Sequence, residues 1–234
     1  MKVLLLLGIG QIMLVPSKHK AIPIPLSLSA SEKSVINVFR PRFGETVLDI
    51  GAYVGRYTLL SSRYVGEKGQ VVSVEAHPGI FKLLRKNLIL NKISNATTVN
   101  AAISNCEGHV KLYHGYASGW HSIVQKSAET GWSLNEYTKV PSKTVDNLMK
   151  EIGIDKVDWM KIDVEGAELK VLEGSLETLR NNENLKIIVE IHPTYTREDA
   201  IFKLFKQMQY ETRVLKREWP YQSYHTLAWP KQSH

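Results

Sequence analysis

The sequence predicts an α/β protein with a Rossmann-like, mostly parallel and doubly wound sheet, and three patterns in it carry that expectation. Short apolar runs recur at TVLDI (46–50), QVVSVEA (70–76), ATTVNAAI (96–103), VDWMKID (157–163) and KIIVEIH (186–192), as strands buried on both faces require. Segments with apolar residues at helical spacing separate most of them, at 55–65, 78–90, 144–152, 167–181 and 197–209. The chain closes with two β-rich segments, 210–217 and 224–229, which read as an antiparallel hairpin on one edge of the sheet.

Pro78 suits the first turn of a helix, and Ile80, Leu83, Leu84, Leu88 and Leu90 then follow its apolar face, with Asn87 among them. Residues 104–140 break the rhythm: Gly108, Gly115, Gly119 and Gly131 around HVKLYH predict a hairpin and a longer excursion. Composition fits one soluble globular domain, with 43% hydrophobic and 23% charged residues in 234. Cys106 has no second cysteine to pair with, so the fold does not require an oxidising compartment, and it reads as a small filler residue.

The first 31 residues stand apart from the domain expected over 32–234. Val3–Val15 is apolar apart from Gly8, Gly10 and Gln11, too short for a bilayer-spanning helix of ~20 residues. Its length suits a signal-peptide core with Ser29-Ala30-Ser31 downstream, but Lys18, His19 and Lys20 follow it directly. Packing against the domain is the favoured reading, contact with a membrane surface or partner the second, export the third. The expected location is therefore cytoplasmic, with membrane association as the variant. Pro16, Pro23 and Pro25 make residues 16–31 a connector. A net charge of +7 favours an anionic partner such as a phosphorylated or nucleotide-linked substrate, nucleic acid or acidic lipid, although the basic residues are scattered. Lys82, Arg85 and Lys86 read as a solvated helix face.

The segment VLDIGAYVGRYT (47–58) carries the first chemistry. A strand runs through Asp49 into Gly51, and Gly55 opens a helix, giving D-x-G-x-x-x-G rather than the dinucleotide fingerprint G-x-G-x-x-G. Glu75 ends the next strand, where a carboxylate can accept from both ribose hydroxyls. Together these predict a nucleoside-type cofactor without a pyrophosphate, which S-adenosylmethionine satisfies. The expected cofactor-binding set is Asp49, Gly51, Ala52, Tyr53, Gly55, Tyr57, Thr58, Glu75, Ala76, Asn100, Ala101 and Asp163. Gly8-x-Gly10 in LLLLGIGQIM is discounted: Met13 replaces its third glycine and prolines follow.

A second constellation lies in WMKIDVEGAELKVLEGS (159–175) and VEIHP (189–193). It places Asp163 and Glu165 at one strand end and Glu190 and His192 at the next, facing the crevice where ligands bind in doubly wound sheets. Asp163, Glu165 and His192 are the catalytic candidates, whereas Glu168 reads as helix surface.

In order and separation, VLDIGAYVGRYT, VVSVEAHP, KIDVEGAELKVLEGS and VEIHP closely resemble the FkbM-like family of S-adenosylmethionine-dependent methyltransferases, over about residues 45–210. The resemblance implies a Rossmann-like methyltransferase fold, S-adenosylmethionine as donor, and O-methylation of sugars or natural-product hydroxyls. It also implies cofactor contacts at Asp49, Gly51 and Glu75, with Asp163, Glu165 and His192 bordering the reaction centre. Tyr53-Val54 departs from the Asn-Ile of many members, and the first 40 and last 20 residues carry no resemblance. The expected acceptor is a hydroxyl on a sugar, glycolipid or other small metabolite, an anionic one matching the charge. Asp163 or His192 would take its proton. A divalent metal on Asp163, Glu165 and His192 is the alternative to a site without metal. An RNA methyltransferase and a non-catalytic subunit are the rival readings. The first lacks an Asn/Asp-Pro-Pro-aromatic tetrapeptide, and the second is disfavoured by the retained Asp49 and Glu75. Residues 104–140 and Trp219, Tyr221, Tyr224 and Trp229 are candidates for the acceptor pocket.

Overall fold

β3 (Thr46–Ile50) is the central strand, buried along its whole length, with β4 (Gln70–Val74) and β9 (Trp159–Ile162) parallel on either side. β5 (Ala96–Val99) continues the sheet beyond β4, and β10 (Lys186–Ile191) continues it beyond β9, both again parallel. The computed structural model describes residues 3–7, 11–15, 30–115, 119–125, 136–217 and 223–232. Strand order reverses between β3 and β9, which opens the ligand crevice at their carboxyl ends.

The expected terminal hairpin is β11 (Tyr210–Arg217) and β12 (Tyr224–Pro230), but β12 inserts beside β10 and leaves β11 on the edge. Burial explains the order. Tyr224, His225, Thr226 and Ala228 of β12 are buried, while Glu211, Thr212, Arg213 and Val214 of β11 face water, as suits an edge strand. Tyr224 is thus a core residue, with its hydroxyl on Glu198, rather than part of an acceptor pocket. Trp229 is half-buried on β12, and Trp219 and Tyr221 lie outside the described residues.

Successive strand residues face opposite sides, and both sides are covered. On one, Leu48, Val72, Met160, Ile187 and Val189 pack with Leu148 of α4 (Val145–Ile152), Val171 of α5 (Glu168–Glu173), Leu179 of α6 (Leu176–Asn181) and Phe205 of α7 (Glu198–Gln207). On the other, Val47, Val71, Trp159 and Ile188 meet Tyr57, Leu60 and Val65 of α2 (Arg56–Val65), together with Val35 and Phe39. Val35 belongs to α1 (Ala30–Val38), a helix that the sequence reading does not single out. Each such fully buried side chain stabilises the fold by roughly 1.5–3 kcal/mol relative to exposure.

Two expected elements divide. ATTVNAAI splits at Asn100, whose side-chain amide donates to the carbonyls of Glu75 and Ala76 and ties β5 to the end of β4. β6 (Ala102–Ile103) then joins a separate sheet, ordered β6-β8-β7, with β7 (Gly108–Tyr113) antiparallel to β8 (Tyr137–Lys143). This is the hairpin expected from HVKLYH, although residues 116–118 and 126–135 of the excursion lie outside the described residues. The helix expected over 167–181 breaks between α5 and α6 at Gly174, where a Cβ would stand 2.2 Å from the Ser104 carbonyl oxygen.

Part of the N-terminal apolar run packs on the domain. β1 (Val3–Leu7) and β2 (Gln11–Val15) form an antiparallel hairpin, and Met13 is buried against Val54 and against Ile80 and Leu83 of α3 (Pro78–Leu90). Asn87 on α3 grips the strand, accepting from the Leu14 N–H at 2.7 Å and donating to the Leu14 and Val54 carbonyls at 3.0 and 2.7 Å. The connector from 16 to 29 lies outside the described residues, and no described helix is long and apolar enough to cross a membrane.

Candidate active site

A cavity of about 240 Å³ opens at the carboxyl ends of β3, β4 and β9, with residues from 101 to 123 forming its far wall. Of the expected cofactor residues, Gly51, Tyr53, Glu75, Ala76, Ala101 and Asp163 line it. Asp49, Ala52, Gly55, Tyr57, Thr58 and Asn100 are not part of its wall.

Asp49 explains the difference. It lies on the α2 side of β3, where its carboxylate accepts from Thr58 Oγ1 at 2.7 Å, and Thr58 Oγ1 accepts from Ser73 Oγ at 2.8 Å. Tyr57 sits edge-on to Phe39 and beneath the Lys161 ammonium. These three residues brace the loop from below. Asn100 fastens the cavity wall through its two bonds to the end of β4.

Gly51, which lines the cavity, is also required by the packing of two loops. Its φ is +77°, and a Cβ there would stand 1.8 Å from the Asp163 carbonyl oxygen, so glycine lets the loops after β3 and β9 touch. Gly55 lies against Leu84 at φ +98°, which seats the start of α2 tightly on α3.

Glu75 is buried at the cavity wall with both oxygens engaged. Oε2 accepts from the Tyr53 N–H at 2.9 Å and Oε1 from the His77 N–H at 2.7 Å. Burial pushes its pKa up to about 7, against the lowering effect of those two bonds. A carboxylate has about four acceptor positions, so two remain for ribose hydroxyls.

The reaction-centre candidates converge. Asp163 and Glu165 line the cavity, His192 stands behind Glu165, and one donor atom from each lies within 4.8 Å of the others. Lys161, only 2% exposed, donates to Asp163 Oδ2 at 2.9 Å. Burial opposes its charge, but the carboxylates of Asp163, Glu190 and Asp49, with the Tyr57 hydroxyl, hold its pKa above the usual lysine range. Glu165 adopts a left-handed conformation at φ +52°, and Ser122 Oγ donates to its carbonyl at 2.7 Å.

Glu168 corrects the sequence reading: it is fully buried rather than helix surface, and its Oε1 accepts from the Gly166 N–H while lying 2.8 Å from His192 Nδ1. His192 Nε2 faces Glu165 at 3.4 Å and Glu190 at 3.8 Å. Burial disfavours the charged ring, yet Glu165, Glu168 and Glu190 outweigh it and raise the His192 pKa well above its ordinary value. Asp163 and Glu165 stand on the cavity wall, whereas His192 reaches it only from behind Glu165. Burial raises Glu165 strongly against the opposing pull of His192. Glu190 in turn meets His225 of β12 at 3.2 Å, and that interaction depends on the inserted strand.

Three histidines escaped the sequence reading. His77 caps α3, its Nδ1 accepting from the Gly79 and Ile80 N–H groups, and stacks on His121 at 4.2 Å with His114 alongside. His121 lines the cavity, and burial, with help from His77 and His114, pushes its pKa down to about 3, so it is neutral. The His77-Pro78 cap was the one local signal available.

Residues 49–212 match the methyltransferase FkbM domain family. The hexuronic acid methyltransferase AglP of Haloferax volcanii is 24% identical, over 74% of this chain and 66% of its own length. The methyltransferase sdnD of Sordaria araneosa is also 24% identical, over 55% of this chain and 59% of its own. The chain thus spans about three-fifths to two-thirds of these curated relatives. Among solved structures, the FkbM methyltransferase of Methylobacillus flagellatus superposes with a TM-score of 0.56 at 14% identity, covering 82% of this chain and 45% of that one. TYW2 of M. jannaschii, solved in complex with AdoMet, gives 0.54 at 15% identity, covering 97% of this chain and 84% of that one. The chain belongs to the FkbM family of methyltransferases, and its methyl donor is S-adenosylmethionine.

Proposed function

We propose that the protein transfers a methyl group to a hydroxyl of a sugar or another small metabolite. The observation that carries this reading is one cavity bordered by Glu75 at one place and by the carboxylates of Asp163 and Glu165 at another. The name of the Haloferax relative, a hexuronic acid methyltransferase, supports a sugar acceptor. The net charge of +7 supports an acidic one.

The cavity suits the donor: Glu75 offers acceptors for ribose hydroxyls, and Ala76, Ala101 and Ala102 leave room for a flat base beside it. S-adenosylmethionine supplies a methyl group on a sulfonium, an electrophile that needs positioning more than activation. The chain's own task is to hold an acceptor oxygen and remove its proton. Glu165 fits the base role because burial raises its proton affinity toward the working range, where such transfer contributes about 10²–10⁴ in rate. Asp163, fixed by Lys161, orients the hydroxyl from the other side.

The test is transfer of labelled methyl from S-adenosylmethionine to uronic acids, neutral glycans and RNA in parallel. The proposal expects label on a carbohydrate as an alkali-stable ether. Label released by mild alkali, or confined to RNA, would overturn it.

A further inference from the structure

We propose that Asp163, Glu165 and His192 form a binding site for a divalent cation, an inference that rests on the hydroxyl-methylation reading for the cation's use. Their donor atoms lie within 4.8 Å of one another. Metal–ligand bonds of about 2.1 Å place neighbouring ligand atoms about 3 Å apart and opposite ones about 4 Å. Side-chain rotations therefore suffice to gather the set.

His192 supplies the independent observation. Its Nδ1 lies 2.8 Å from Glu168 Oε1, an oxygen that also accepts from the Gly166 N–H. A carboxylate oxygen accepts, so Nδ1 carries the hydrogen and Nε2 is the nitrogen able to ligate. This side chain is only 10% exposed, yet Nε2 points between Glu165 and Glu190 at 3.4 and 3.8 Å, too long for good hydrogen bonds. A buried ring oriented by a carboxylate on one nitrogen, with the other aimed among carboxylates, is how proteins present histidine to a metal.

Two carboxylates and one imidazole suit a cation of intermediate hardness, with Mn²⁺ a suitable probe. Asp163 and Glu165 line the cavity while His192 stands behind, so the open coordination positions face the acceptor. A hydroxyl oxygen bound there would be both positioned and made more acidic. Lys161 occupies Asp163 Oδ2, which assigns the second oxygen of that carboxylate to the cation.

The experiment titrates the chelator-treated full chain with Mn²⁺ alone and reads the free-Mn²⁺ resonance signal. S-adenosylhomocysteine binding is measured separately by calorimetry. Saturable binding of one Mn²⁺ is expected, weakened ~10-fold or more in Asp163→Asn and His192→Ala and ~10–100-fold in Glu168→Gln. Glu75→Gln should bind Mn²⁺ as the wild type does. Should the buried His192→Ala or Glu168→Gln fail to fold, Asp163→Asn, whose side chain is 31% exposed, decides the matter. Absence of saturable binding, or unchanged binding in folded Asp163→Asn, would overturn the site. Full transfer to a hydroxyl in excess chelator would also overturn it while leaving the methylation reading intact. Site-dependent Mn²⁺ binding would support it even if no hydroxyl acceptor were ever methylated, an outcome that would sink only that reading.

Discussion

Glu75 Oε2 accepts the Tyr53 N–H at 2.9 Å, so the carboxylate proposed to hold the cofactor ribose also clamps the loop after β3. One side chain couples two tasks. Glu75→Gln should weaken S-adenosylhomocysteine binding by ~10-fold or more, at ~1.4 kcal/mol per decade. Calorimetry on folded protein checks it.

The same residue sets a pH dependence. Burial raises the Glu75 pKa from 4.5 to about 7 in the folded chain, so the carboxyl is easier to protonate there than when unfolded. Its contribution to stability is fully present below pH 4.5 and is lost as pH rises through about 7. Apo Glu75→Gln should therefore melt above the wild type at pH 8, with that gain shrinking toward pH 5. Wild-type cofactor affinity should fall as pH drops through about 7, and Glu75→Gln should flatten that slope. Matched melting and binding curves between pH 5 and 8 would show both.

Gly51→Ala should be far more damaging than its size suggests. The new Cβ meets the Asp163 carbonyl oxygen at 1.8 Å, at a φ of +77°. Left-handed strain of ~1–2 kcal/mol adds to overpacking of ~1–3 kcal/mol. Thermal or denaturant unfolding should show a loss of ~2–5 kcal/mol, together with loss of cofactor binding.

The N-terminal hairpin offers a test of packing. Met13 is buried against Val54, Ile80 and Leu83, so Met13→Ala should destabilise the whole domain by ~2–5 kcal/mol. Asn87→Ala should act on the same docking by leaving the Leu14 backbone groups without their partner. Denaturant melts that stay unchanged in both variants would show that the hairpin does not contribute to the domain's stability.

What was legible in the sequence was local. TVLDI followed by glycine, and KIDVEG before its helix, announce strand–loop–helix junctions in a few residues, and the crevice forms where they imply. The position of Asp49 at a strand end says nothing about which face it takes; the pleat turns it toward Thr58, and it does not line the cavity. Glu168 looked like surface because its first-turn neighbours Leu169 and Lys170 are ordinary helix residues, and its partner His192 lies 24 positions on. The Glu190–His225 contact needed the knowledge that β12 enters the sheet beside β10, a tertiary choice with no local signature.

The central claim is that Asp163 and Glu165 act on the acceptor rather than on the donor. Groups that act in the transition state lower turnover while leaving ground-state donor affinity nearly unchanged. The most direct measurement is single-turnover methyl transfer to the acceptor by Asp163→Asn and Glu165→Gln, beside S-adenosylhomocysteine affinity in the same preparations. The account predicts affinity within a few-fold of wild type and transfer slowed by ~10²-fold or more. Near-full transfer in both variants would contradict it.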